Sequence, residues 1–155
     1  MVLQGIAYSG SGHEAGRQLL AQMYRAYTGK ALPAIAVTPR GKPYFPESNI
    51  HFSISHTRHF VFCALSDRPI GIDAEEADRK IDLRLADKIL SPVERQFFDA
   101  SADKRQTLLR FWVLKEASAK CSGEGLQGYP DHTVFSPDDP RIQTISGCLV
   151  AVVED

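Results

Sequence analysis

Apolar residues at Ala15, Leu19, Leu20, Met23, Tyr24 and Tyr27 recur every three to four positions, which predicts an amphipathic helix ended by Gly29. Four prolines, at positions 33, 39, 43 and 46, then make residues 30–49 an irregular or edge segment. The period changes at Ile50, Phe52 and Ile54, which alternate with His51, Ser53 and Ser55 as in a half-buried strand. Residues 60–65 are continuously apolar and predict a central strand covered on both faces, and residues 69–75 predict a third strand. The second half opens with a helix near residues 82–89. Ser91, Pro92 and Glu94 then supply an N-cap, a first-turn proline and a capping-box carboxylate. A core helix follows over about residues 103–121, apolar nearly all round at 108–114 apart from Arg110, and stopped by Gly123 and Gly125. A Pro- and Asp-rich loop leads to a last strand at 148–153. Each half thus reads helix, loop, then an apolar strand closing on an acidic residue, which suggests an internal duplication.

Composition narrows the class. The chain has 155 residues, 43% apolar and 24% charged, enough for one compact α+β unit with approximate lobes at 1–70 and 71–155. Its uncharged apolar runs are all under ten residues, too short for a membrane helix. The first basic residue is Arg17, so no basic signal-peptide start is expected. Cys63, Cys121 and Cys148 are far apart and form no C-x-x-C pair, arguing against a disulfide framework or zinc knot. The expectation is a reduced, cytoplasmic protein with no membrane or nucleic-acid partner. Residues 1–70 carry seven basic and three acidic side chains, and residues 71–155 carry eleven and sixteen. A basic half suits phosphate and an acidic half suits a metal ion.

Three constellations carry chemistry. In Pro69-Ile-Gly-Ile-Asp-Ala-Glu75, strand alternation puts Gly71, Asp73 and Glu75 on one face, with the carboxylates about 7 Å apart. A hard divalent cation offsets such repulsion, although a solvated strand end shares the pattern. In Trp112-Val-Leu-Lys-Glu-Ala-Ser-Ala-Lys120, offsets of three, four, seven and eight put Lys115, Glu116, Ala119 and Lys120 on the side of Trp112. An ordinary Glu116–Lys120 surface pair would look the same, but these charges adjoin the most apolar helical stretch. Finally, Ser53-Ile-Ser-His56 follows Arg40-Gly-Lys42-Pro43, and such groups can donate to phosphate oxygens. Zinc is disfavoured, because alternation sends His51 and His56 to opposite faces. Gly10-Ser-Gly12-His-Glu-Ala-Gly16 imitates a dinucleotide fingerprint, yet no acid lies between Glu14 and Glu47 to hold a ribose, so it reads as a loop and helix start. Hydrolase-triad and P-loop motifs are missing.

The ordered set of Arg17, Gly41-Lys42-Pro43, Phe52-Ser-Ile-Ser-His56, Gly71-Ile-Asp73-Ala-Glu75 and Trp112-Val-Leu-Lys115-Glu116-Ala117 with Lys120 resembles the 4′-phosphopantetheinyl transferase superfamily, in its Sfp-type branch, over about residues 13–153. The resemblance implies two similar small α/β lobes related by a pseudo-two-fold, each a mainly antiparallel sheet with a packed helix. It implies transfer of the phosphopantetheine arm of coenzyme A to a serine of an apo acyl or peptidyl carrier protein, with Mg²⁺ or Mn²⁺ and release of adenosine 3′,5′-bisphosphate. By the same resemblance Asp73, Glu75 and Glu116 match the metal-binding acids, with Glu116 also the base for the carrier serine. Lys120 matches the lysine that neutralises the pyrophosphate. Arg17, Lys42, Ser55 and His56 match positions that hold coenzyme A phosphates, and Lys115 is a motif residue of open role. Two departures qualify the match: the lead before Arg17 is short, implying weaker coenzyme A binding, and the short stretch after Gly125 predicts that one sheet lacks a hairpin or its usual extension. A monomer is expected over a dimer. The alternatives are a non-catalytic module that binds a carrier protein or coenzyme A, and a metal-dependent phosphoesterase using the same three acids.

Overall fold

In the computed structural model, which describes residues 1–125 and 134–155, Ser11 opens the first helix by accepting the Glu14 N–H at 3.2 Å. Helix α1 (Gly12–Thr28) ends where Gly29 turns left-handed. Its Leu19, Leu20, Met23 and Tyr24 pack on Phe52, Val61, Cys63 and Leu65. Those residues belong to β4 (His51–His56) and β5 (Phe60–Ser66), which pair antiparallel. The apolar lead forms β1 (Val2–Ala7), an edge strand on the other side of β5, so the sheet order is β1-β5-β4. The proline-rich segment contributes only a small hairpin, β2 (Ala36–Val37) with β3 (Pro43–Tyr44).

The second sheet has order β6-β8-β7, again antiparallel, from β6 (Ile70–Glu76), β7 (Ile142–Ile145) and β8 (Cys148–Glu154). Between β6 and β7 lie α2 (Ala86–Ile89), α3 (Pro92–Ala100) and α4 (Lys104–Ser122). Leu108, Leu109, Phe111, Val113, Leu114 and Ala117 of α4 bury themselves against Leu149, Ala151 and Val153 of β8. The two sheets meet through their other faces, where Phe62 and Ala64 contact Ile70, Ile72, Ala74, Cys148, Val150 and Val152. Both sheets follow one topology: a strand, then helix, then a hairpin whose last strand lies in the middle.

Three expectations need correction. The strand at β4 is not half-solvated: Ser53 and Ser55 are buried, because β6 lies against their face. The N–H groups of Ile72 and Ala74 donate to the Ser53 and Ser55 hydroxyls at 3.0 and 3.1 Å, so serine oxygens stand in for a backbone ladder. The last strand does not follow the loop directly: β7 precedes it and forms a hairpin with β8, so of the two expected reductions the missing hairpin is excluded. The two-residue turn between them, Ser146-Gly147, has positive φ at both positions, 51° and 74°, as a tight twisted hairpin requires. Lys115 also leaves the face of Trp112: its Nζ lies 2.8 Å from Glu94 Oε1 on α3, with side-chain exposures of 1% and 0%. Glu94 completes the predicted capping box with Ser91 and accepts the Phe135 N–H at 3.1 Å. Part of the predicted Pro- and Asp-rich loop, residues 126–133, lies outside the described residues.

Candidate active site

Gly71 decides how closely α4 approaches β6. A Cβ there would lie 2.0 Å from the Ala117 carbonyl and 2.3 Å from the Cys121 nitrogen, so only a glycine lets the helix backbone rest on the strand. Asp73 and Glu75 share the Gly71 face of β6 and are therefore brought up against α4. Asp73 Oδ1 accepts from Lys120 Nζ at 2.8 Å and from Ser55 Oγ at 3.3 Å, while Oδ2 is buried with no hydrogen-bond partner among the described residues. Glu75 Oε1 accepts from the Trp112 indole at 3.3 Å and pairs with Arg79.

The carboxylates are uncomfortable together. Burial pushes the Asp73 carboxyl up from its ordinary range, despite the pull of Lys120 and Ser55. Burial also raises Glu75, helped by the Asp73 charge. Glu116, half-buried on α4, is pushed up to about 7 by burial first and then by Asp73 and Glu75, with Lys120 opposing. Three acids thus gather where their charges are poorly solvated, and one carboxylate oxygen is orphaned. Oxygen donors of this kind fit a hard divalent cation. Among the described residues, however, no group of three or more His, Cys, Asp and Glu side chains is drawn together as a finished metal cage.

A cleft of about 260 Å³ opens beside these acids, bounded by Glu116 and Lys120 of α4, Arg40 and Lys42 of the β2–β3 turn, and Phe52 of β4. One wall is held by hydrogen bonds: Lys42 Nζ donates to the Cys121 carbonyl at 2.5 Å and Arg40 to the Glu124 carbonyl at 3.3 Å, capping the C-terminal end of α4. Desolvation there lowers the Lys42 pKa.

The three acids and the α4 wall of the cleft fall within a recognisable stretch of sequence, while its Arg40, Lys42 and Phe52 wall precedes it. Residues 69–150, just over half of the chain, match the 4′-phosphopantetheinyl transferase superfamily. The chain belongs to that superfamily. It is 34% identical over 107 residues to 4′-phosphopantetheinyl transferase gsp of Aneurinibacillus migulanus, covering 68% of this chain and 44% of that protein. Identity to 4′-phosphopantetheinyl transferase Sfp of Bacillus subtilis is 37% over 89 residues, covering 56% and 39%. With 4′-phosphopantetheinyl transferase HetI of Nostoc the match is 31% over 142 residues, covering 84% and 60%. The chain spans about half the length of the curated relatives it matches.

The span that matches the phosphopantetheinyl transferase superfamily contains Asp73, Glu75, Lys115, Glu116 and Lys120; Arg17, Lys42, Ser55 and His56 precede it. Of the first set, Asp73, Glu75, Glu116 and Lys120 come together, and Lys115 serves the core instead. Of the second set, Lys42 reaches the cleft wall and Ser55 touches Asp73. His56 packs over the start of α1, its ring against Gly12 and edge-on to Tyr8. Arg17 lies five residues further along α1, half-buried, and does not line the cleft. One site residue escaped the sequence reading. Arg79 is four residues from Glu75, but Glu75 sits near a strand end, so helical spacing rules gave no warning; the turn at Glu76–Arg79 brings it back. In the sequence Trp112 marks a helix face and opens the motif, and the structure adds that its indole N–H donates to Glu75. No helix among the described residues is long and apolar enough to cross a membrane.

Proposed function

We propose that this chain is a Sfp-type 4′-phosphopantetheinyl transferase, moving the phosphopantetheine arm of coenzyme A to a serine of an apo acyl or peptidyl carrier protein and releasing adenosine 3′,5′-bisphosphate. The observation that carries this reading is the convergence of Asp73, Glu75, Glu116 and Lys120 beside a cleft, in a chain of that superfamily. Attack of the serine oxygen on the phosphorus nearer pantetheine breaks that phosphorus's bond to the bridging oxygen, and the leaving bisphosphate carries the electron pair. Such transfers depend on positioning and charge neutralisation. Glu116, half-buried on α4 and lining the cleft, is the carboxylate that accepts the serine proton. Lys120, at the cleft and 35% exposed, offsets charge on the departing phosphate. Lys42 at the cleft wall would donate to the coenzyme A phosphates, and Arg17 on α1 and His56 against the start of that helix, both outside the cleft lining, would take part where a bound phosphate extends toward it. Asp73, Glu75 and Glu116 would hold Mg²⁺ or Mn²⁺, which when bound supplies Lewis-acid stabilisation of the pyrophosphate oxygens.

The repeated strand, helix, hairpin topology supports a pseudo-two-fold arrangement of lobes at 1–70 and 71–155, with the cleft at their junction. We assign the protein to the cytoplasm as a monomer, with carrier protein and coenzyme A as partners and neither membrane nor nucleic acid. The test is the intact mass of an apo carrier protein after incubation with this protein, coenzyme A and Mg²⁺. Gain of one phosphopantetheine arm, abolished by EDTA, supports the reading. Calorimetric binding of coenzyme A with no gain on any of several carriers would replace it by the non-catalytic binding module.

A further inference from the structure

Ser55 offers its hydroxyl hydrogen to Asp73 Oδ1 at 3.3 Å and accepts the Ala74 N–H at 3.1 Å, in a residue only 7% exposed. A serine hydroxyl has one hydrogen to give, and that hydrogen is taken. Its oxygen faces the backbone of β6. A phosphate oxygen would need the same hydrogen, at the cost of releasing Asp73. The other contact on Oδ1, Lys120 Nζ, comes from the opposite side of the junction, from α4. Asp73 is therefore gripped at one oxygen by two donors on two elements, and the carboxylate plane is fixed. The second oxygen, Oδ2, is buried and lacks a partner among the described residues. An orphaned acceptor in a buried place is costly unless something arrives to meet it.

We infer that Ser55 is a positioning residue for Asp73: it holds Oδ1 and so presents Oδ2 to the divalent cation, and it does not bind a coenzyme A phosphate through its side chain. This rests on the metal-site reading given above. It differs from the role that resemblance alone suggests for Ser55. Neighbouring Ser53 supplies a built-in comparison, since its hydroxyl accepts the Ile72 N–H at 3.0 Å in the same seam between β4 and β6, but no contact to Asp73 accompanies it. Loss of either serine weakens the seam; only loss of Ser55 also leaves Asp73 Oδ1 to Lys120 alone.

The experiment measures Mn²⁺ binding to the full chain by the loss of the free-ion electron paramagnetic resonance signal, with no coenzyme A or carrier present. Removal of a partner that orients a metal ligand typically weakens metal binding about 10–100-fold. Ser55→Ala is expected to weaken Mn²⁺ binding at least ~10-fold, Ser53→Ala less than ~2-fold, and Ser55→Thr, which restores a hydroxyl, should recover most of the loss. In steady-state transfer, Ser55→Ala should raise the metal concentration needed for half activity while the KM for coenzyme A stays within about twofold. Unchanged Mn²⁺ affinity with a raised coenzyme A KM would overturn the inference and return Ser55 to the phosphate site. Equal losses in Ser53→Ala and Ser55→Ala would also overturn it, by showing a seam effect alone. If Ser55→Ala does not fold, Ser55→Cys keeps the volume with a much weaker donor and takes the same readout. Wild-type protein that binds no Mn²⁺ sinks the metal site and this inference together. Mn²⁺ binding with no transfer to any carrier sinks the proposed reaction and leaves the role of Ser55 standing.

Discussion

Replacing Lys115 by Met tests what holds α4 in place. Met keeps most of the apolar stem and removes the ammonium, so packing changes little. In the native chain that ammonium lies 2.8 Å from Glu94 Oε1, with both side chains sealed from water. Glu94 also accepts from the Ser91 N–H at 2.8 Å and from the Phe135 N–H at 3.1 Å. Without Lys115 these two donors remain, but the counter-charge is gone, and stripping a buried ion of its partner costs about 3–5 kcal/mol. The two surviving hydrogen bonds argue for the lower end, about 3 kcal/mol. Glu94→Gln alone leaves the ammonium buried and one oxygen for two N–H groups, so it should cost about 3–5 kcal/mol. The double substitution buries no charge and orphans only one N–H, costing about 1–3 kcal/mol. The double mutant should therefore be more stable than the sum of the single effects by ~3 kcal/mol or more. Urea titration followed by the fluorescence of Trp112, the chain's single tryptophan and one turn before Lys115, gives all four free energies. Additive costs, or a Lys115→Met penalty below about 1 kcal/mol, would refute the assignment of a coupled buried pair.

Gly71→Ala should destabilise by about 3 kcal/mol or more, or abolish soluble expression, because its Cβ would run into the α4 backbone; a chemical denaturation midpoint near wild type would refute the close approach. Ser146→Asn should stabilise by about 0.5–1 kcal/mol in the same assay, since Asn tolerates the left-handed backbone that Ser146 adopts at φ 51°. In EDTA, the folded protein holds a proton on Glu116 up to about pH 7, above the ordinary 4.5, so stability contributed by that group is fully present below pH 4.5 and is lost as pH rises to about 7. With half the shift discounted for solvent screening this is on the order of 1–2 kcal/mol, and Glu116→Gln should flatten that segment of the stability profile; an unchanged profile would refute it. Millimolar Mg²⁺ should raise the thermal midpoint of wild type and leave that of Asp73→Asn unmoved, as read by differential scanning fluorimetry.

The elements that periodicity alone could reach were those with strong local signals. Ser91, Pro92 and Glu94 mark the start of α3 within the sequence, and the all-round apolar stretch at 108–114 announces α4 as a core helix. Strand β7 carries a weak local signal, because it has only four residues and its turn is Ser146-Gly147, a weaker signature than Asn-Gly. Tertiary contact, not local pattern, accounts for the other gaps. Alternation puts Ser53 and Ser55 on the polar face of a strand correctly, but nothing within five residues says that the face will be covered by β6. Lys115 and Glu116 are neighbours on a helix whose two sides meet different partners, so spacing from Trp112 could not separate a core ion pair from a site acid. The candidate acids were legible because strand alternation and helix spacing each fix a face; which oxygen of Asp73 is held and which is left was not.

Charge at the site gives the strongest reason to read it as built for a cation. Asp73, Glu75 and Glu116 bring three potential negative charges, and Lys120 and Arg79 bring two positive ones. With all groups ionised the site is left one negative charge in excess, and a pyrophosphate entering the adjoining cleft would meet repulsion. The raised carboxyl pKa values are the same conflict in another form: the fold spends stability to keep the acids together. A divalent cation would reverse the sign, turning an excess of one negative charge into one positive, and in the proposed reaction it would do so beside Lys120, where the departing phosphate would need neutralisation. A purely structural cluster would be relieved by replacing any one acid with an amide. A site whose function requires the cation would gain stability and lose transfer from that same replacement, and this opposition between stability and activity in Glu116→Gln separates the two interpretations.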